Sequence, residues 1–169
     1  MNGGAVSIEG SALSSQGTFS HGVSVEGNGS RGTIAGSTID VGGARAHGVY
    51  VNGGASAEVN SSDIRLDPAA SAVGPWGLGA LVDGQGSRLR LNDSEARTTQ
   101  KTSYGVRALD GADLELNNGL IDTQGNYSAG LSAGSATVIA RNLSVRTSGD
   151  DNAMGVVADT GSTITLYGG

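Results

Sequence analysis

Two histidines occur in this 169-residue chain, and each opens the same phrase: "HGVSVEG" at His21 and "HGVYVNG" at His47. A pair of imidazoles can share a metal ion or pass a proton. Two nitrogen donors fall short of the three or four that hold a zinc ion, however, and no carboxylate occupies the same repeat position. The expectation is therefore no metal and no cofactor, with the histidines stacked as bulky corner side chains. A second candidate is "DPAASAVGPW", residues 67–76, which contains both prolines and the only tryptophan. Loops on a rigid scaffold carry binding more often than the scaffold does, and tryptophan is enriched at binding hot spots. Asp67, Pro68, Pro75 and Trp76 are accordingly the candidate ligand contacts.

Catalytic signatures are absent. The chain has no G-x-S-x-G nucleophile elbow, no G-x-x-x-x-G-K phosphate loop and no calcium-binding nonapeptide. Sugar-cleaving chemistry needs clustered carboxylates. The Asp150-Asp151 pair sits beside Asn152 in what reads as a solvent turn. No catalytic residue is expected, and the chain is read as a non-enzyme. Five Asn-x-Ser sequons, at Asn28, Asn60, Asn92, Asn126 and Asn142, match the Asn and Ser enrichment of turns. There is no Arg-Gly-Asp triplet, because Thr33 follows Arg31-Gly32.

The elements that would carry these residues come from a repeat. Gly–aliphatic–x–(Val or Ala) recurs at Gly22, Gly48, Gly77, Gly105, Gly130 and Gly155, at spacings of 26, 29, 28, 25 and 25 residues. Gly79 competes with Gly77 in the third unit; "GLGA" at Gly77 matches "GVRA" and "GLSA" better. On that alignment the position before the glycine reads His21, His47, Trp76, Tyr104, Ala129, Met154, which stacks Trp76 on His47. The outward positions of the leading strand read Ser24, Tyr50, Gly79, Arg107, Ser132, Val157, with no acid among them.

Each leading strand runs into a polar Gly turn, such as Asn52-Gly53 or Asp110-Gly111. A middle strand follows, with inward pairs Ala57/Val59, Leu89/Leu91, Leu114/Leu116, Ala136/Val138 and Ile164/Leu166. A trailing strand completes the unit, with Ile39/Val41, Ile64/Leu66, Ala96/Thr98, Ile121/Thr123 and Leu143/Val145. Outward charges form two columns: Glu58, Arg90, Glu115 on middle strands, and Asp40, Arg65, Arg97, Asp122 on trailing strands. These are expected to pair across coils as ordinary surface charge.

Three alternating strands per unit predict an all-β, parallel β-helix of about 25–29 residues per coil and roughly six to seven coils. A hairpin-built sandwich or barrel would not produce a three-strand period. Composition agrees. Thirty glycines, 4% aromatics and 15% charged residues fit short strands and tight turns. With no cysteine, disulfides are excluded, which suits a cytosolic protein or one that crosses a membrane unfolded. The net charge of −6 carries no basic footprint, so no nucleic-acid partner is expected. No apolar run approaches 18 residues, and no signal-peptide pattern stands at the N-terminus. Met1 leads straight into "NGGAVSIEG", which reads like the interior of a repeat.

The repeat at Gly105–Ala129, with the cadence of "HGVSVEG" and "GSTIDVGGARAHGVYV", resembles autotransporter passenger domains of the pertactin type. The resemblance spans nearly the whole chain. It implies a right-handed parallel β-helix, type V secretion in a Gram-negative bacterium, a place at the outer-membrane-anchored cell surface or in secreted form, and an adhesin or virulence-type binding scaffold. It also accounts for the missing cysteines through passage of an unfolded chain through a narrow pore. The implied partners are a host-cell surface protein, a matrix component or a glycan, or another copy through the rod. Membrane contact would come only from a barrel outside the segment. Residues 1–169 are read as one β-helix segment of a longer passenger. An inert stalk and a polysaccharide-processing enzyme are the alternative roles.

Overall fold

A computed structural model describes residues 3–66 and 76–168. Among them every regular element is a β-strand, and the 19 strands form three parallel sheets. The leading sheet stacks Val23–Glu26, His47–Asn52, Leu78–Asp83, Tyr104–Leu109, Ala129–Gly134 and Met154–Ala158. The middle sheet stacks seven strands: Ala5–Glu9, Arg31–Ala35, Ser56–Asn60, Arg88–Asn92, Asp113–Asn117, Thr137–Arg141 and Thr163–Tyr167. The trailing sheet stacks Ala12–Ser15, Thr38–Val41, Asp63–Leu66, Glu95–Thr98, Leu120–Thr123 and Ser144–Thr147. The chain is a β-solenoid of about six turns with three strands per coil.

Alternation decides which residues enter the core, because successive side chains on a strand point to opposite faces. Val49, Val51, Ile64 and Val59 are wholly buried, whereas Tyr50 and Glu58 between them point outward. Like lies on like: Ile39 pairs with Ile64, Leu91 with Leu116, and Val106 with Leu131. Each buried Ile or Leu contributes roughly 1.5–3 kcal/mol relative to exposure.

The repeat glycine has a packing reason. A Cβ on Gly48 would lie 2.1 Å from Ile64 Cγ2 and 2.5 Å from the Gly79 carbonyl oxygen. On Gly105 it would meet Ile121 Cγ2 at 2.2 Å and Gly130 O at 2.8 Å. The leading strand passes so close to the trailing strand and the next coil that no side chain fits.

Those contacts also correct the third unit. Val49 pairs with Ala80 and Ala80 with Val106, so Gly79, not Gly77, is the repeat glycine. The coil between Gly48 and Gly79 is therefore 31 residues, longer than the expected range. Two later assignments shift as well. Val138/Ala140 pair with Leu114/Leu116, and Val145/Thr147 pair with Ile121/Thr123. Ala136 and Leu143 sit at the corners before those strands rather than within them.

Polar ladders tie the corners together. Backbone N–H groups of Ser11, Ser37 and Ser62 donate to the hydroxyls of Ser37, Ser62 and Ser94 on the next coil, at 3.1–3.2 Å. Asn117 donates to Asn92, and Asn92 to Asn60, each at 2.8 Å. Buried polar groups need such partners. The sequon residues Asn60 and Asn92 are thus committed to the fold.

Candidate functional site

The outward faces of the three sheets differ in chemistry. The middle sheet presents Thr33, Glu58, Arg90, Glu115 and Ile139 in register. Its charges satisfy one another: Glu115 accepts from Arg90 at 3.0 Å and from Arg141 at 2.8 Å. The two guanidiniums hold the Glu115 carboxyl below the usual carboxylate range, against the opposing effect of its desolvation. The trailing sheet presents Asp40, Arg65, Arg97 and Asp122. Here Arg65 and Arg97 pair along their own strands with Asp63 and Glu95 rather than across coils as expected.

The leading sheet is different. Its outward column is Ser24, Tyr50, Leu81, Arg107, Ser132, Val157, so Leu81 stands where Gly79 was expected. The column before the repeat glycine reads His47, Leu78, Tyr104, Ala129, Met154, with His21 below His47. The result is an aromatic and apolar strip on the first four coils. His21 and His47 stack with centroids 4.8 Å apart and planes 14° apart, and Tyr50 lies 4.9 Å from His21. The His47 amide donates to His21 Nδ1 at 3.1 Å, which leaves the His21 proton on Nε2. Tyr50 Oη accepts from Asn52 Nδ2 at 2.7 Å. Burial, reinforced by the neighbouring His21, pushes the His47 pKa down to about 4. Burial also lowers that of His21, with Glu26 pulling the other way. Both rings are neutral near pH 7.

This geometry does not suit a metal. Two metal–nitrogen bonds of about 2.0–2.1 Å need converging donors, whereas near-parallel rings 4.8 Å apart do not converge. No group of three or more His, Cys, Asp or Glu able to hold an ion occurs among the described residues.

Trp76 borders the strip but does not stack in the histidine column; Leu78 takes that place above His47. The tryptophan belongs instead to a corner three residues before the repeat glycine. Each coil turns three corners, and each corner uses a left-handed residue. Between middle and trailing strands these are Gly10, Gly36, Ser61, Asp93, Asn118 and Asn142. Between leading and middle strands they are Gly27, Gly53, Gly84, Asp110 and Ser135. Small and Asx residues are the expected occupants. The corner entering the leading sheet carries Phe19 (φ 59°), Arg45 (53°), Trp76 (89°), Thr102 (54°), Tyr127 (56°) and Asn152 (48°).

For a bulky L-residue that conformation costs about 1–2 kcal/mol. The rings are not repaid by burial: Phe19, Trp76 and Tyr127 are 60%, 45% and 55% exposed. Backbone bonds fix the column, with Phe19 N–H donating to Ala44 O, Trp76 N–H to Thr102 O and Tyr127 N–H to Asp151 O. Phe19, Arg45 and Trp76 join His21, His47, Tyr50, Leu78 and Leu81 around a shallow depression of about 440 Å³. The Arg45 guanidinium lies 5.6 Å from the Phe19 ring centroid.

Of the four predicted contact residues, Trp76 is on this surface; Asp67, Pro68 and Pro75 lie outside the described residues. Sequence reasoning missed Phe19, Arg45 and Tyr127. Their signal was present: each lies three residues before its repeat glycine, Gly22, Gly48 or Gly130, and aligning the third unit on Gly79 adds Trp76 to the same position. No protein-family model and no curated protein sequence matches the chain.

Proposed function

We propose that this chain is a β-solenoid segment of a bacterial autotransporter passenger, displayed at the cell surface or released from it, and that it works as a binding scaffold of adhesin type. One observation carries the binding half of this reading: strained corner positions hold exposed aromatic rings beside an aromatic strip. Strained conformations persist where a side chain is needed for something other than folding. Exposed aromatic patches rimmed by polar residues mark interaction surfaces. The cysteine-free composition and the repeat cadence support the autotransporter half. The scaffold's task is presentation: a stiff stack holds the aromatic corner at a fixed position along the rod.

The test is a binding screen of the isolated chain on host cells, matrix proteins and immobilised glycans, run beside Trp76→Ala. Specific binding that the variant loses supports the scaffold. Silence throughout leaves the inert stalk as the better account.

A further inference from the structure

The corner column says more than that a ligand binds. Read along the rod it is Phe19, Arg45, Trp76, Thr102, Tyr127, Asn152. An aromatic ring alternates with a hydrogen-bonding side chain on every coil. Rungs of a parallel sheet repeat at about 4.8 Å, so the backbone positions that carry successive rings are about 10 Å apart, with one polar residue between each pair.

From this alternation we infer that the column is a track for an extended pyranose glycan lying parallel to the rod axis. The inference rests on the binding-scaffold reading and names its ligand class. A sugar ring has an apolar C–H face and a hydroxyl rim, so a chain of them needs flat apolar platforms interleaved with donors and acceptors. In an extended β-linked chain the same ring face returns to one side at every second residue. That is the rhythm of Phe19, Trp76 and Tyr127, while Arg45, Thr102 and Asn152 meet the hydroxyls between them. The neutral imidazoles of His21 and His47 and the hydroxyl of Tyr50 lie beside the track in the same depression as Trp76. A polyproline peptide also repeats on about this length, but it is gripped in a groove with aromatic walls on both sides. Here the aromatic strip of His21, His47 and Tyr50 flanks only the Phe19 and Trp76 end of the column, and the depression there is shallow; Tyr127 is not among its lining residues.

The experiment measures affinity of the intact 169-residue chain for cello- and chito-oligosaccharides of increasing length by calorimetry, beside a broad glycan array and a proline-rich peptide. The expected result is affinity that rises with chain length until the oligosaccharide spans the three rings. Phe19→Ala, Trp76→Ala and Tyr127→Ala should each weaken the long oligosaccharide, Trp76→Ala by about tenfold or more, and Trp76→Phe should restore most of it. Circular dichroism and melting curves establish that each variant is folded. Silence on every glycan, affinity independent of length, or preference for the peptide would overturn the inference. Binding to cells or a matrix protein through Trp76 with no glycan binding would end the glycan track and leave the scaffold standing. Indifference of every ligand to Trp76→Ala would end both.

Discussion

Two corners of each coil are occupied by glycine, Asx or serine, which fit left-handed backbone; the third carries, in five of its six copies, larger residues that left-handed backbone resists. Asn118 and Tyr127 lie nine positions apart, hold φ of 53° and 56°, and do opposite things. Asn118 accepts a 3.0 Å hydrogen bond from Asn142 on the next coil and is part of the stacking machinery. Tyr127 is more than half exposed and has only its backbone engaged. The same conformation thus ties a side chain into the coil stack at one corner and leaves a side chain in solvent at the other.

The interior glycines set the upper limit of what backbone demands can do. Gly105→Ala would place a methyl 2.2 Å from Ile121 Cγ2 and 2.8 Å from a carbonyl oxygen. Overpacking against backbone should destabilise the chain by about 3 kcal/mol, read by chemical denaturation. A loss below about 1 kcal/mol would mean the coils yield more easily than their spacing implies.

The histidine stack gives the next largest effect. Its folded pKa values lie below the ordinary 6.5, so below that pH the unfolded chain binds protons the folded chain refuses. Stability is full above pH 6.5 and falls as pH drops toward about 4, where His47 itself titrates. The loss attributable to His47 is on the order of 2–3 kcal/mol. His47→Leu, the residue the next coil carries there, should flatten the melting temperature between pH 6.5 and 5; an unchanged slope would remove the stack as its cause.

The corner comparison itself can be broken by exchange. Asn118→Phe brings an unfavoured side chain to a corner that needs its ladder, and should cost about 1–2 kcal/mol. Tyr127→Gly should act in the opposite direction, neutral or stabilising by up to about 1 kcal/mol, because relief of strain is partly offset by glycine's unfolded-state entropy. Thermal melts of the two variants decide the matter. Equal destabilisation would show that Tyr127 is there for folding, not display.

Most of the fold was legible because a solenoid writes its constraints locally. Alternation at Val49–Val51 and Leu114–Leu116 identifies the strands, and the recurring glycine gives the period. Two things were not legible. One was the phase of the third unit, where "GLGA" at Gly77 is the better local match. What selects Gly79 is the absence of room beneath the Gly105 carbonyl, 2.4 Å from its would-be Cβ, and that is a contact between coils. The other was the corner column. Phe19, Arg45 and Tyr127 share a place three residues before Gly22, Gly48 and Gly130, but Trp76 joins them only once that phase is corrected. The strain that makes them informative is a backbone angle, which residue names do not reveal.

The alternation has a genealogical consequence. A solenoid lengthens or shortens by whole coils, so recombination acts on it in integer steps. Because the aromatic rhythm has a period of two coils, parity matters. Excising a pair of coils would bring ring back to ring and preserve the pattern, while excising a single coil would join two copies out of step. If the column binds as proposed, copy-number variants of this chain should keep binding mainly in even increments, even though odd ones stack as well.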